Sequence, residues 1–280
     1  MEERVSLTDI VESVYFGEGM FRTLGGVVIP TNIRHTLKKI AGRNSMVLRL
    51  MTEEGWCALK CYTAPPPYGK QIYAYAHALN SPLLIRPRLL EEELWTGKCF
   101  VDVGLYPWID GRNLEWSIRK ALYDGSSARL QELEQRFIAL AIELLGGEWR
   151  HGDLKPENII VTPEGEMKLV DCDSLYAPSL PPRTPLGTPL YTNPAGAVAY
   201  DTHIDDYAIA LIILSLEALQ RAPELFAGEV LVALPEEHNR QRIDELLEQN
   251  KPLEELHRAL YTENYRIDNL KQILECIAHR

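Results

Sequence analysis

Residues 207–219, YAIALIILSLEAL, are apolar on every face of a helix. Such a helix has no side to turn toward water, and at 13 residues it is too short to span a bilayer. It predicts a buried central helix around which the rest of the second half must pack. One partner is predicted by Leu130, Leu133, Phe137, Ile138, Ala141, Ile142 and Leu145, which follow helical spacing until Gly146-Gly147 stops them. Further packing helices are predicted beyond Pro223, where Leu270, Ile273, Leu274 and Ile277 share one face. Between these helices, NIIV, the turn PEG and MKLVD predict a tight hairpin, followed by a loop rich in proline.

The first half has a different character. SMVLRLM (45–51) and WCALKCYT (56–63) read as strands joined by a turn at EEG. A single helix over about 68–79 enters after Pro65-Pro66-Pro67 and ends before Pro82. The Glu91-Glu92-Glu93 run lies beyond Pro82 and Pro87 and is expected at a turn or strand end as a solvated charge cluster. The change of character falls at WIDGRNL (108–114), a candidate hinge. The expected architecture is α+β and bilobal: a small β-rich lobe over 1–108, including an N-terminal extension, and a mainly helical lobe over 109–280. The first 40 residues carry no expectation of their own.

The chain, 280 residues long, can bury a sizeable core without disulfides. Its 29 basic and 40 acidic residues give a net charge of -11, which argues against nucleic acid or an anionic membrane as partner. Five cysteines with no CxxC pair fit reduced thiols and a cytoplasmic location. The N-terminal stretch MEERVSLTDIVESVYF reads as neither signal peptide nor anchor.

The chemistry concentrates in HGDLKPEN (151–158). Phosphoryl transfer needs metal-binding oxygens, a group that orients the acceptor hydroxyl, and cations beside the migrating phosphate, and this run offers all three. It resembles the catalytic loop of the protein-kinase superfamily, H-x-D-x-K-x-x-N, with a hairpin and a second Asp following at the expected distance. The resemblance covers about residues 40–220 and is to a divergent, bacterial-type Ser/Thr kinase. It implies ATP and Mg²⁺ as cofactors, with Asp153 orienting the substrate hydroxyl, Lys155 stabilising the transferred phosphate, His151 bracing the loop, and Asn158 and Asp171 binding metal. Lys60 in CALKCY resembles the strand lysine of V-A-I-K. Gly42, in IAGRNSMV, stands where a glycine-rich phosphate loop would be, or in an ordinary turn. The carbonyl of Pro107 and the amide of Ile109 are candidate adenine contacts beside Tyr106, residues that equally suit a core.

The departures are as informative. The helix at 68–79 has no acidic residue to pair with Lys60, and Gln71 is either a hydrogen-bond partner in its place or a solvated surface residue. Gly152 replaces an arginine of the family, which predicts activity independent of loop phosphorylation. Cys172 and Asp173 replace Phe and Gly of the second Asp motif, and Ala195 replaces a glutamate. GTPLYTNPA (187–195) resembles the end of the activation segment, with Thr188 expected to contact Asp153. Asp205 is expected either to anchor the catalytic loop or to cap the central helix. Three functions follow in order: a protein Ser/Thr kinase acting on a protein or peptide, a small-molecule kinase of the aminoglycoside or choline type, and a silent pseudokinase scaffold.

Overall fold

The computed structural model describes residues 5–17, 19–27, 45–184, 187–192, 200–234, 240–262 and 266–279. The chain is α+β and divides into two compact units, Met1–Ile109 and Asp110–Arg280.

In the first unit, β1 (Ser45–Thr52), β2 (Gly55–Tyr62), β3 (Arg88–Trp95) and β4 (Phe100–Pro107) form an antiparallel sheet in the order β1-β2-β4-β3. The β1–β2 hairpin closes where expected, with Thr52 opposite Gly55. Alternation in β1 sends Met46, Leu48 and Leu50 to one face, where they meet Leu59, Cys61, Leu94, Val103 and Leu105. That face is covered by the N-terminal helix α1 (Leu7–Phe16), whose Ile10 and Val14 enter the same core. Ser6 and Asp9 cap α1 reciprocally, Asp9 N donating to Ser6 Oγ at 3.1 Å and Ser6 N to Asp9 Oδ2 at 2.7 Å. Burial in this core pushes the thiols of Cys57 and Cys61 up to about 11 and about 12, which keeps them protonated. Helix α2 (Gly69–Ala78) lies against the other face.

The acidic run departs from expectation. Glu91–Glu93 lie within β3 rather than at a turn, and only two of the three face water. Glu91 pairs with Lys70, and Glu92 with Arg22. Glu93, 1% exposed, accepts from Thr23 N at 2.9 Å, Leu24 N at 2.8 Å and Thr23 Oγ1 at 2.6 Å. Together with Trp95 N to Met20 O and Arg22 N to Glu93 O, these bonds tie the segment after α1 along β3. A buried carboxylate that collects backbone amides is a site of attachment, which sequence pattern alone does not separate from a surface charge.

The second unit is built around α5 (Asp206–Arg221), buried continuously from Asp206 to Leu219 as its apolar faces require. Packed around it are α4 (Ser127–Gly146), α6 (Arg240–Leu247) and α7 (Lys251–Ala259), with α8 (Leu270–Ala278) against α4 and α7. Helix α3 (Leu114–Tyr123) starts at Asn113, whose side chain accepts from Trp116 N. A small sheet of β5 (Arg112–Asn113), β6 (Ile159–Val161) and β7 (Met167–Leu169) holds the expected hairpin. Among the described residues no helix is long and apolar enough to cross a membrane.

Candidate functional site

The HGDLKPEN loop is held at both of its flanks before its own side chains come into play. Helix α4 ends at Gly146, and Arg150, which sequence reasoning passed over, turns back onto it. Its Nη1 donates to the carbonyls of Leu144, Gly147 and Trp149 at 3.1, 2.8 and 2.7 Å, and its Nε to Thr202 O at 2.7 Å. A buried guanidinium is thereby satisfied by backbone carbonyls at and just beyond the end of α4 and by that of Thr202. Arg150 also pairs with Tyr176 through two backbone bonds of 2.9 and 3.0 Å.

The next two amides converge on Asp205. His151 N donates to Asp205 Oδ2 at 2.6 Å and Gly152 N to Asp205 Oδ1 at 2.8 Å. Asp205 makes no side-chain cap to α5, so of the two roles read from sequence the structure shows the loop anchor. Complete burial pushes its carboxyl above the ordinary carboxylate range, against the pull of the two amides that it accepts from. The His151 ring is fully buried and spans the hairpin: Nε2 lies 2.9 Å from Val170 O, and Asp153 N donates to Nδ1 at 3.3 Å. These partners assign the neutral ring with its proton on Nε2.

Four side chains then meet. Asp153 Oδ1 accepts from Thr188 N and from Thr188 Oγ1, both at 2.8 Å. Asp153 Oδ2 accepts from Lys155 Nζ at 2.8 Å and from Asn158 Nδ2 at 3.2 Å. Lys155 Nζ also reaches Thr188 Oγ1 at 2.7 Å, and Asn158 Nδ2 the carbonyl of Asp153 at 2.9 Å. Asp171 follows in the same framework, because Val170 N bonds Asn158 O at 3.0 Å while Val170 O receives His151. Its backbone is left-handed, with φ 71°, and Asp173 N points at its Oδ1. Cys172 is fully buried beside it, in the filler role that its size suits. Among the described residues no three His, Cys, Asp or Glu side chains cluster as a ready-made metal cage.

Gly152 has a geometric reason of its own. Its φ is 76°, and a Cβ there would lie 2.0 Å from Ser174 O. The position that looks in sequence like a lost arginine is one where the backbone admits no side chain. The described part of GTPLYTNPA, residues 187–192, includes Thr188 at Asp153 and Tyr191, whose hydroxyl lies 3.4 Å from Glu157 Oε2. Burial raises the Glu157 carboxyl. Ala195 and Gly42 lie outside the described residues.

The remaining candidates belong to the first unit. Lys60 sits mid-strand on β2, 3% exposed, opposite Val47 on β1 and Gly104 on β4. Pro107 ends β4 and is exposed, and Ile109 is half-buried. Gln71 is exposed on α2, so it does not serve Lys60. The residue of α2 that does face the lysine strand is Tyr73, which sequence reasoning missed. Its hydroxyl bonds those of Tyr62 at 2.7 Å and Tyr106 at 2.8 Å.

An α+β chain with an HGDLKPEN loop anchored on a buried aspartate has the framework of a protein kinase-like protein, and one comparison points the same way. Over 74 residues the chain is 36% identical to cyclin-dependent kinase 17 of Caenorhabditis elegans. The match takes in 24% of this chain and 11% of that protein, so it supports a protein kinase-like relationship over a limited stretch. No family model matches the chain.

Proposed function

We propose that the chain is an ATP-dependent phosphotransferase, a protein Ser/Thr kinase that moves the γ-phosphate of Mg-ATP to a hydroxyl of a protein or peptide in the cytoplasm. The observation that carries this reading is the meeting of Asp153, Lys155, Asn158 and Thr188 on a loop braced by His151 and Asp205. Scattered polar residues capping turns have no reason to converge on one carboxylate.

In this reading Asp153 orients the attacking hydroxyl. Its strong bonds come from Thr188 and Lys155, and the bond from Asn158 is the longest, so an incoming hydroxyl takes a lone pair at little cost. Lys155, bridging Asp153 and Thr188, supplies positive charge where the transferred phosphoryl group gains negative charge. Asn158 turns its amide nitrogen to Asp153, which leaves its oxygen for a cation. Asp171 adds one carboxylate. One carboxylate and one amide oxygen suit Mg²⁺, which keeps several waters and takes its other ligands from phosphates. Bound magnesium supplies neutralisation of the nucleotide phosphates. Lys60 would bind those phosphates, and the Pro107 carbonyl and Ile109 amide would receive the adenine.

The test is transfer of γ-phosphate from Mg-ATP to a generic protein acceptor by wild type, Asp153→Asn and Asp171→Asn. Transfer by wild type that both variants lose supports the proposal. Transfer to choline or an aminoglycoside but not to protein replaces it with a small-molecule kinase. No transfer at all replaces it with a scaffold.

A further inference from the structure

Helix α2 carries no carboxylate, yet it is joined to the lysine strand at a specific point. Lys60 and Tyr62 lie two residues apart on β2 and so share the face that α2 covers. Directly across from Lys60 on β4 stands Gly104, and a Cβ at that glycine would lie 2.2 Å from Tyr73 Oη. The phenol therefore fills the place beside Lys60 that any other residue at 104 would take. There its hydroxyl is bracketed by Tyr62 Oη on the lysine's own strand and Tyr106 Oη on β4, at 2.7 and 2.8 Å. The Tyr62 ring, fixed by the first of these bonds, presents its face to the Lys60 ammonium at 5.4 Å from the centroid. Tyr73 is 1% exposed, and all three tyrosines are buried.

A buried hydroxyl with two partners has a single good position, so this chain of three phenols fixes the ring that faces the lysine. Taking Lys60 as the phosphate-binding lysine proposed above, we infer that Tyr73 is its positioning residue: through Tyr62 and Tyr106 it ties α2 to the strand that bears Lys60, the task a helix carboxylate performs elsewhere. Gly104 is part of the device, since only glycine leaves room for the phenol. Tyr106 extends it to the end of β4, next to Pro107.

Tyr73→Phe keeps the ring and removes both bonds. The first readout uses no nucleotide: the rate at which an N-hydroxysuccinimide acetate ester acylates Lys60 in the folded chain, located by mass spectrometry, with Lys98 and Lys120, both off α2, as internal references. Loss of a buried hydrogen bond predicts acylation of Lys60 about fivefold faster, the reference lysines unchanged. Tyr62→Phe removes the other end of the same bond and moves the rate in the same direction, which keeps the test decisive should Tyr73→Phe fail to fold. Unchanged acylation in the folded variants overturns the inference. The second readout is steady-state transfer, where Tyr73→Phe raises KM for ATP about fivefold and leaves kcat within twofold. A lower kcat at unchanged KM marks a purely structural tyrosine and overturns it as well. A wild type that neither binds nor uses ATP defeats the phosphotransferase reading, while the acylation result still decides whether Tyr73 positions Lys60.

Discussion

Gly152→Ala is the smallest change that tests the architecture of the loop. Two costs add. The residue has φ 76°, where a side chain costs about 1–2 kcal/mol. The new Cβ would also lie 2.0 Å from Ser174 O and 2.8 Å from its carbonyl carbon, inside the 3.0 Å that real Cβ atoms keep. Neither side yields freely: Gly152 N is held by Asp205, and Tyr176, two residues past Ser174, is paired twice with Arg150. Separating two such backbones costs about 1–3 kcal/mol, as overpacking does in a core. The sum, about 2–5 kcal/mol, lowers the melting temperature by roughly 10 °C in a chain of this size. Gly125→Ala is the control, because Gly125 has φ 64° with nothing within 4 Å of the added Cβ, and it should lose only about 1–2 kcal/mol. Urea unfolding followed by circular dichroism measures both. If the two variants lie within about 0.5 kcal/mol of each other, the clash at Ser174 O is not real and the reasoning fails. The same geometry predicts that Gly152→Arg disrupts the loop instead of restoring the family's arginine.

Other outcomes follow from individual contacts. Asp205→Asn offers one acceptor where two amides need two, and should cost about 2–3 kcal/mol with loss of phosphate transfer; a loss below about 1 kcal/mol in urea would show that the anchor is dispensable. Burial raises Asp206 from 3.8 to about 6 even beside His203, so the folded chain holds this proton more tightly than the unfolded chain. That makes stability fall as pH rises from about 4 to about 6, by about 2 kcal/mol within that window from this one group. Asp206→Asn should therefore gain on wild type across that window, and parallel pH profiles would contradict the assignment. Glu93→Gln replaces a charged acceptor of three bonds with a neutral one, costing about 1–3 kcal/mol, and should speed hydrogen exchange at the Thr23 and Leu24 amides. Equal exchange rates would mean the segment is held by other contacts.

What the sequence determined by itself rests on local rules. An all-apolar helix has to be buried, alternation fixes the faces of β1, and the spacing of HGDLKPEN and its hairpin brings Asp153, Lys155 and Asn158 onto one short loop. What only the tertiary structure decided depends on partners distant in sequence. Glu93 reads as a surface charge until Thr23 and Leu24, about 70 residues earlier, bring their amides to it. Arg150 has no visible role until Thr202 and the end of α4 receive it. Gly152 reads as a missing arginine until Ser174 O occupies the space of its side chain. Gln71 reads as either a partner of Lys60 or a solvated surface residue; the helix turns it to water and sets Tyr73, which the sequence did not single out, on Gly104. Periodicity reports how often a side chain returns to a face; which groups wait on that face is decided when distant strands and helices close over it.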